Sequence, residues 1–315
     1  MPPEKTKSES ASLQRSAQEE EPIDQSKKES EEEQHSSLDF SRNDSEGYSI
    51  TIRAGIFVLS FSVFLILWQI LASQANDPLI VAGPVPVFQA LINLVGDNIP
   101  RAAEGIQQPD AAILQTFEVI LIGFGLGAAI GIPLGIVSGR WRFAEGIVDP
   151  WVNATYSIPI VALIPVTYYA IGSSFLADIF IAFLLSVFTI VINTQNGVKY
   201  VSRTLSDVGK SLGASEYQSL SKVILPASLP DVLTGLRIGA GRAILGAVLA
   251  EALLSENGLG GIVMTFQALY DTPYMMATVV LIALLGIVVL ELPKILEKQF
   301  FRWKESERIS RDFEN

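Results

Sequence analysis

Residues 205–226 read LSDVGKSLGASEYQSLSKVILP, a polar segment between two long apolar ones. FLADIFIAFLLSVFTIVI precedes it at 175–192, and VLTGLRIGAGRAILGAVLAEALL follows it at 232–254. An α-helix needs about 20 mainly apolar residues to cross a bilayer. We therefore predict that the polar segment connects two membrane helices. It is too long for a simple turn, and its helix-forming polar residues suit a surface that docks another protein.

The composition excludes several classes of function. The chain is 49% hydrophobic, has no cysteine, and has one histidine, His35, in its polar N-terminal part. Disulfides, thiolate metal sites and a histidine-based active site are therefore excluded. Residues 1–50 hold thirteen acidic and six basic side chains, so they carry most of the net charge of −11. Because this segment has very few apolar side chains, we predict a disordered acidic tail.

Six apolar segments predict an all-α membrane protein with six transmembrane helices. They are 54–72, 111–138, 151–171, 175–195, 231–254 and 274–292. Asp110 is predicted to cap the second helix, and Asp149-Pro150 to begin the third. A short amphipathic piece, 87–94, is predicted to lie along the membrane surface. A glycine-rich loop at 255–271 is predicted to contain a short apolar helix.

Small residues recur every four positions in two of these helices. The second helix carries Gly123, Gly127, Gly131, Gly135 and Gly139, and the fifth carries Gly235, Gly239, Ala243 and Ala247. This spacing places small residues on one helix face, where a neighbouring backbone can approach closely in lipid. We predict that both helices are tightly packed members of a bundle.

Polar residues and prolines within the apolar segments are candidates for lining a pore. The candidates are Asn153, Tyr156, Pro159, Pro165, Asn193, Arg242 and Glu251. Prolines kink a helix because they remove a backbone hydrogen bond. Charged residues in a membrane helix are expected to face protein or water. A structural kink in the third helix and a structural ion pair at Arg242 are alternative interpretations.

Basic residues predict the orientation, since loops on the cytoplasmic side carry an excess of lysine and arginine. With a cytoplasmic N-terminus, the three outer loops contain a single basic residue, Arg101. The inner loops then contain Arg140, Arg142 and four further basic residues in 198–230, and the C-terminal segment is basic as well. We predict that both termini and the polar loop are cytoplasmic.

The polar loop resembles the cytoplasmic loop of bacterial ATP-binding-cassette (ABC) importer permeases. The family pattern is E-A-A, three residues, G, nine residues, I, one residue, L-P. Here Asp207-Val208-Gly209 is followed at that spacing by Gly213, Val223 and Leu225-Pro226. The opening triplet keeps only acidic character at Asp207, and valine replaces isoleucine. Further stretches between 110 and 305, including LIGFGLGAAIGIPLGIVSG at 121–139, resemble permeases of the nitrate, sulfonate, taurine, bicarbonate and thiamine-precursor type.

The resemblance implies the MetI-like fold of type I importers, a five-helix core preceded by one extra N-terminal helix. On this basis the chain divides into a tail (1–50), a first helix with a periplasmic segment (51–110), a permease core (111–295) with its docking loop (198–230), and a basic cytoplasmic segment (296–315). The expected docking residues are Leu205, Asp207, Val208, Leu212, Gly213, Ala214, Glu216, Val223, Leu225 and Pro226. Gly213 would bend the chain between two short helices, and Leu225-Pro226 with Leu229-Pro230 would end the loop and restart a helix.

The resemblance also implies the partners. A separate ATPase subunit would bind ATP, and a second copy of the chain would complete the pore in the bacterial inner membrane. A periplasmic binding protein would deliver a small solute, either a small anion such as nitrate, sulfonate, taurine or bicarbonate, or a thiamine precursor. The chain itself would need no cofactor and have no enzymatic activity, and no nucleic-acid partner is expected. A secondary carrier and a membrane-anchored scaffold are the alternatives. A carrier of that kind usually shows two matching halves, which this sequence lacks.

Overall fold

The computed structural model describes residues 50–74, 81–96, 100, 107–211, 213, 215–254 and 257–300, and these residues contain helices and no strand. The helices are α1 (Ile50–Gln74), α2 (Pro84–Val95), α3 (Pro109–Arg140), α4 (Arg142–Ser157), α5 (Ile160–Ile171), α6 (Ser174–Ser211), α7 (Glu216–Ser219), α8 (Leu225–Leu254), α9 (Gly258–Ala268) and α10 (Thr272–Phe300). A π-helical turn, Leu220–Ile224, joins α7 to α8. Residues 1–49 of the predicted tail (1–50) and 301–315 of the predicted basic segment (296–315) lie outside the described residues, whereas Ile50 is the first residue of α1.

The membrane helices agree with the predicted all-α architecture. Within the described residues, five helical segments are long and apolar enough to cross a bilayer, and a sixth results when α4 and α5 count as one broken span. The chain divides into two units between Leu67 and Trp68. In the first unit, the rings of Phe57 and Phe61 stack with centroids 6.4 Å apart.

Helix α6 lies between α3 and α8, and small residues set how closely the three helices approach. A Cβ atom added at Gly123 would lie 2.6 Å from the Ala182 Cβ atom, and one added at Gly135 would lie 2.5 Å from the Thr194 Cβ atom. Gly127, Gly131 and Gly139 meet α6 in the same way. Contacts this close leave no room for a side chain, so the helix backbones touch along the whole row.

The direction of these contacts shows how the chain crosses the bundle. Residue numbers rise together along α3 and α6, from Gly123 beside Ala182 to Gly139 beside Val198, so the two helices are parallel. Helix α8 is antiparallel to α6, since Gly235 lies beside Asn193 and Gly246 lies beside Ala182. Because α3 and α6 run in the same direction, the chain must make a return crossing between them. Helices α4 and α5 together supply it, which supports counting them as one span.

The predicted third helix, 151–171, is corrected by the structure. Helix α4 already begins at Arg142, directly after Trp141, so Pro150 lies inside it rather than at its first position. The helix then breaks at Ile158 and Pro159, and α5 leaves at 98° to α4. Ile158 has φ −93° and ψ 124°, because a residue before proline is pushed out of the helical region.

The start of α3 differs from the prediction by two residues. Gln108 occupies the N-cap position and Pro109 the first turn, whereas Asp110 was expected to cap the helix. The Asp110 side chain instead lies within the first turn, where its Oδ1 atom accepts a hydrogen bond from the Ala111 amide at 2.7 Å. Proline at the first helical position explains the shift, since its fixed φ favours that place.

Helices α2, α9 and α10 form a separate apolar cluster. Val87, Ala90 and Leu94 of α2 are buried against residues of α9 and α10. The Phe266 and Tyr274 rings stack with centroids 5.1 Å apart. The apolar face of the piece predicted to lie along the membrane surface therefore packs on protein. Helix α9 is the short apolar helix predicted within the glycine-rich loop.

Candidate docking and translocation sites

The polar loop begins as a continuation of α6. This helix has 38 residues, or about 57 Å at 1.5 Å per residue, well beyond the ~30 Å hydrocarbon core of a bilayer. Residues 205–211 therefore extend the long helix instead of forming a short helix of their own. Gly213 follows with φ 74°, a left-handed conformation that favours glycine.

Helix α7 has its own start signal. The Ser215 side chain accepts a hydrogen bond from the Gln218 amide, and the Gln218 side chain accepts one from the Ser215 amide. This reciprocal capping box satisfies two amide groups that a helix start leaves without partners. The predicted sharp bend at Gly213 is thus followed by a defined helix start two residues later.

The exit from the loop differs from the prediction. Helix α8 begins at Leu225, directly after the π-helical turn, and Pro230 lies inside it. Leu229-Pro230 therefore does not restart a helix. Pro226 is the second residue of α8, directly after the π-helical turn, in which the Leu225 amide donates to the Leu220 carbonyl. Val223 is half-buried, Ile224 is fully buried and Pro226 is exposed.

The remaining predicted docking residues divide into two groups. Leu212 and Ala214 lie outside the described residues, as do the side chains of Leu205, Asp207 and Val208. The Glu216 side chain is 74% exposed, and its Oε1 atom lies 3.3 Å from the Arg140 Nη2 atom. Tyr217, which sequence reasoning did not single out, is 78% exposed beside it. The exposed docking surface that the structure describes consists of Gly213 and the exposed residues of α7, Glu216, Tyr217 and Gln218, whereas Ser219 is buried.

The candidate pore residues are spread over α4, α5, α6 and α8. Asn153, Pro159 and Pro165 are exposed, whereas the Tyr156 side chain lies outside the described residues. Asn193 is half-buried, and its Nδ2 atom donates to the Thr189 carbonyl at 2.8 Å. These residues do not converge on one pocket within a single chain.

Arg242 lies on an exposed face near the middle of α8. The same face carries Ile238 and Leu245, each 45% exposed, and Gly241, where an added Cβ atom would meet nothing within 4 Å. Among the described residues, no carboxylate lies within 4 Å of the Arg242 guanidinium. A charged side chain at the centre of a membrane helix costs ~2.5–3.5 kcal/mol on insertion scales. This face therefore needs protein or water opposite it.

Glu251 occupies a different environment from the other candidates, because it is fully buried. Its Oε2 atom accepts hydrogen bonds from the Thr116 hydroxyl at 2.9 Å and from the Gly260 amide at 3.0 Å. The Thr116 Oγ1 atom also accepts from the Leu259 amide at 2.9 Å. Glu251 thus braces the start of α9 against α3, inside the bundle rather than on an open surface. Thr116 had no sequence signal, since its partners are distant in the chain.

Gly258 is the glycine that this arrangement requires. It has φ 78°, and a Cβ atom added there would lie 2.5 Å from the Glu251 Oε1 atom. The Gly258 amide donates to the Gln107 Oε1 atom at 2.6 Å. Both the backbone conformation and the close carboxylate exclude a larger side chain at this position.

These features are those of a membrane transport permease, and comparisons with known proteins identify the family. The binding-protein-dependent transport system inner membrane component family matches residues 131–302. A probable ABC transporter permease of Brucella abortus (strain 2308) is 33% identical over 251 residues, covering 80% of this chain and 96% of the relative. The chain therefore belongs to this family and is the transmembrane permease subunit of an ABC importer.

The relatives include permeases with named cargoes. The formylaminopyrimidine transport permease ThiX of Halalkalibacterium halodurans is 28% identical and covers 79% of this chain and 96% of the relative. The nitrate import permease NrtB of Synechocystis sp. is 32% identical and covers 64% of this chain and 73% of the relative. The predicted subfamily is confirmed by these matches.

The fold has a solved counterpart. A chain of the MetNI methionine ABC transporter in an inward-facing conformation matches with a TM-score of 0.53 at 21% identity, covering 61% of this chain and 95% of that chain. This likeness confirms the predicted MetI-like fold.

Proposed function

We propose that this permease works as a homodimer, that Gly213 and α7 dock an ATPase subunit, and that a periplasmic binding protein delivers the cargo. The N- and C-termini and the docking surface then lie in the cytoplasm. The docking proposal rests on the position of α7. This helix follows the left-handed Gly213, at the end of a helix, α6, that is longer than the bilayer is thick. A rigid attachment there can pass movements of an ATPase into α6 and α8.

The cargo that we propose is a small anion. Arg242 is exposed near the centre of α8, and two copies of the chain can place two such guanidinium groups along one pore. Arginine binds planar oxyanions with two parallel hydrogen bonds. The nitrate permease among the relatives transports an anion of this kind. Asn153, Pro159, Pro165 and Asn193 complete the proposed pore lining, with Tyr156 proposed from its sequence alone. Glu251 is left out because it is fully buried.

The experiment for the docking site is co-purification. The chain is expressed in full together with the ATPase and the binding protein proposed as its partners, and the ATPase is expected to remain bound through detergent extraction. An assembly without ATPase would contradict the proposal.

The experiment for the cargo compares Arg242→Ala with Arg242→Lys in proteoliposomes, using nitrate as the probe. Arg242→Ala is expected to lower nitrate uptake at least tenfold, since an interaction of ~1.5–3 kcal/mol with a charged group is lost. Arg242→Lys keeps the charge and is expected to retain more uptake. Equal uptake by the two variants and the wild type would exclude Arg242 from the translocation path.

A further inference from the structure

Helix α4 is attached to α6 by two polar contacts one helical turn apart. The Lys199 Nζ atom donates to the Glu145 Oε1 atom at 2.8 Å, and the Gln195 Nε2 atom donates to the Asp149 Oδ1 atom at 2.7 Å. Residues four apart share a helix face, so the contacts form an antiparallel ladder. Gln195 is buried, and the Lys199 and Glu145 side chains are 28% and 35% exposed.

Apolar contacts extend the ladder along α4. Val152 is buried in one cluster with Val187 and Val191 of α6, and Val148 packs against the same cluster. The polar contacts and the apolar cluster follow one another at one-turn intervals. Helix α4 is therefore attached to α6 along residues 145–152, and movement of α6 at this end is expected to carry α4 with it.

The beginning of α4 is also attached to the docking surface. Arg140, the last residue of α3, is 15% exposed, and its Nη2 atom lies 3.3 Å from the Glu216 Oε1 atom of α7. Only Trp141 separates Arg140 from α4. The corner between α3 and α4 thus touches the first helix after Gly213.

The other end of α4 is the break at Ile158 and Pro159. Beyond it, Ile164 of α5 is buried with Ile181 of α6 and Ala250 of α8. Helices α4 and α5 therefore pack on different parts of α6 and are joined through Ile158 and Pro159. The Ile158 amide still donates to the Ala154 carbonyl at 3.1 Å, but both residues have extended backbone angles and proline has no amide hydrogen to donate. A change in the angle between them needs rotation at these two residues alone.

We propose that α4 is a lever that carries movement of the docking surface to the break at Pro159 and so reorients α5. The Glu145–Lys199 and Asp149–Gln195 contacts fix the lever to α6, and Arg140–Glu216 connects its start to α7. Glu145 and Lys199 are positioning residues, since they act through α5 rather than on the cargo. This inference rests on the proposed docking of an ATPase at α7.

The test measures the distance between α4 and α5 by spin labelling. The chain has no cysteine, so Phe143→Cys and Tyr169→Cys introduce one label on each helix, at side chains that are 83% and 85% exposed. The complex with the ATPase is measured without nucleotide and with ATP bound while hydrolysis is blocked. In the wild-type background the distance is expected to change by about 2 Å or more, the scale of helix shifts in switching proteins.

Charge variants test the ladder itself. Lys199→Glu places two carboxylates together and is expected to abolish the ATP-dependent change while the ATPase stays bound. The exchange Glu145→Lys with Lys199→Glu restores an ion pair and is expected to restore the change. Lys294→Glu, which breaks the exposed Lys294–Glu291 pair of α10, is the matched control and is expected to leave the change intact.

The outcomes distinguish failure of the proposed lever from failure of the proposed docking site. The lever is refuted if the ATPase binds and the wild-type distance does not respond to ATP, if Lys199→Glu keeps the response, or if the exchanged pair fails to restore it. An ATPase that does not bind the wild-type complex contradicts the docking proposal, and the lever with it.

Discussion

Gly135 of α3 packs directly against the Thr194 side chain and the Val191 carbonyl of α6. An added Cβ atom would lie 2.5 Å from the Thr194 Cβ atom and 2.8 Å from the Val191 carbonyl oxygen. We expect Gly135→Ala to lower the free energy of unfolding by about 1–3 kcal/mol, because the helices must separate to admit the methyl group.

Gly125 in the same helix provides the control for Gly135. An added Cβ atom there would meet nothing within 4 Å, and alanine favours a helix over glycine by up to about 1 kcal/mol. Gly125→Ala is thus expected to keep or raise stability. Equilibrium unfolding in SDS measures both variants, and equal stabilities would show that the packing of α3 on α6 does not depend on Gly135.

The Thr116 hydroxyl connects three elements at once, since it donates to Glu251 and accepts from the Leu259 amide. We expect Thr116→Val to lower the free energy of unfolding by about 1–3 kcal/mol, because valine keeps the shape and leaves buried polar groups without a partner. Thr116→Ser keeps the hydroxyl and is expected to lose less. The hydrogen-bond network would be unnecessary for stability if valine were tolerated as well as serine in the same unfolding measurement.

At the scale of single elements, the conformation of Gly213 determines where the docking loop turns. Its φ of 74° is left-handed, and an added Cβ atom would meet nothing within 4 Å. The cost of substitution is therefore backbone strain, about 1–2 kcal/mol for an ordinary residue. We expect Gly213→Val to reduce the yield of co-purified ATPase, and Gly213→Asn, which tolerates this conformation, to keep most of it.

A valine at a second left-handed glycine, Gly172, is the control for Gly213→Val. Gly172, between α5 and α6, has φ 72° and equally open surroundings. Gly172→Val introduces the same strain away from the docking surface and is expected to leave ATPase binding unchanged. Equal losses from the two valine variants would mean that the loop conformation has no specific part in docking.

The sequence predicted those elements whose signals are local. Apolar length predicted the spans, and glycine spacing predicted which face of α3 would pack closely, since both depend on residues a few positions apart. The break between α4 and α5 was expected as a kink within one helix. Proline indicates that hydrogen bonds are lost but does not determine how far the chain turns, which depends on what α4 packs against. Glu145 and Lys199, which form one contact of the ladder, are 54 residues apart in sequence. Their contact therefore had no sequence signal.

At the scale of the whole molecule, the distribution of lysine and arginine predicts that α7 is cytoplasmic and that the turn after α9 is outside. Single cysteines can be placed in the cysteine-free chain at Tyr217 and Leu269, which are 78% and 41% exposed. In intact cells, a membrane-impermeant maleimide is expected to label Leu269→Cys and to label Tyr217→Cys only after lysis. The reverse pattern would overturn the orientation and the cytoplasmic docking surface together.

The central claim is that this permease moves its cargo only with the ATPase and the binding protein. The most direct test is nitrate uptake into proteoliposomes that contain the full complex, with ATP supplied on the side of the ATPase. We predict uptake that needs ATP, the binding protein and this chain together. Uptake that continues without ATP or without the ATPase would instead identify a secondary carrier and contradict the account.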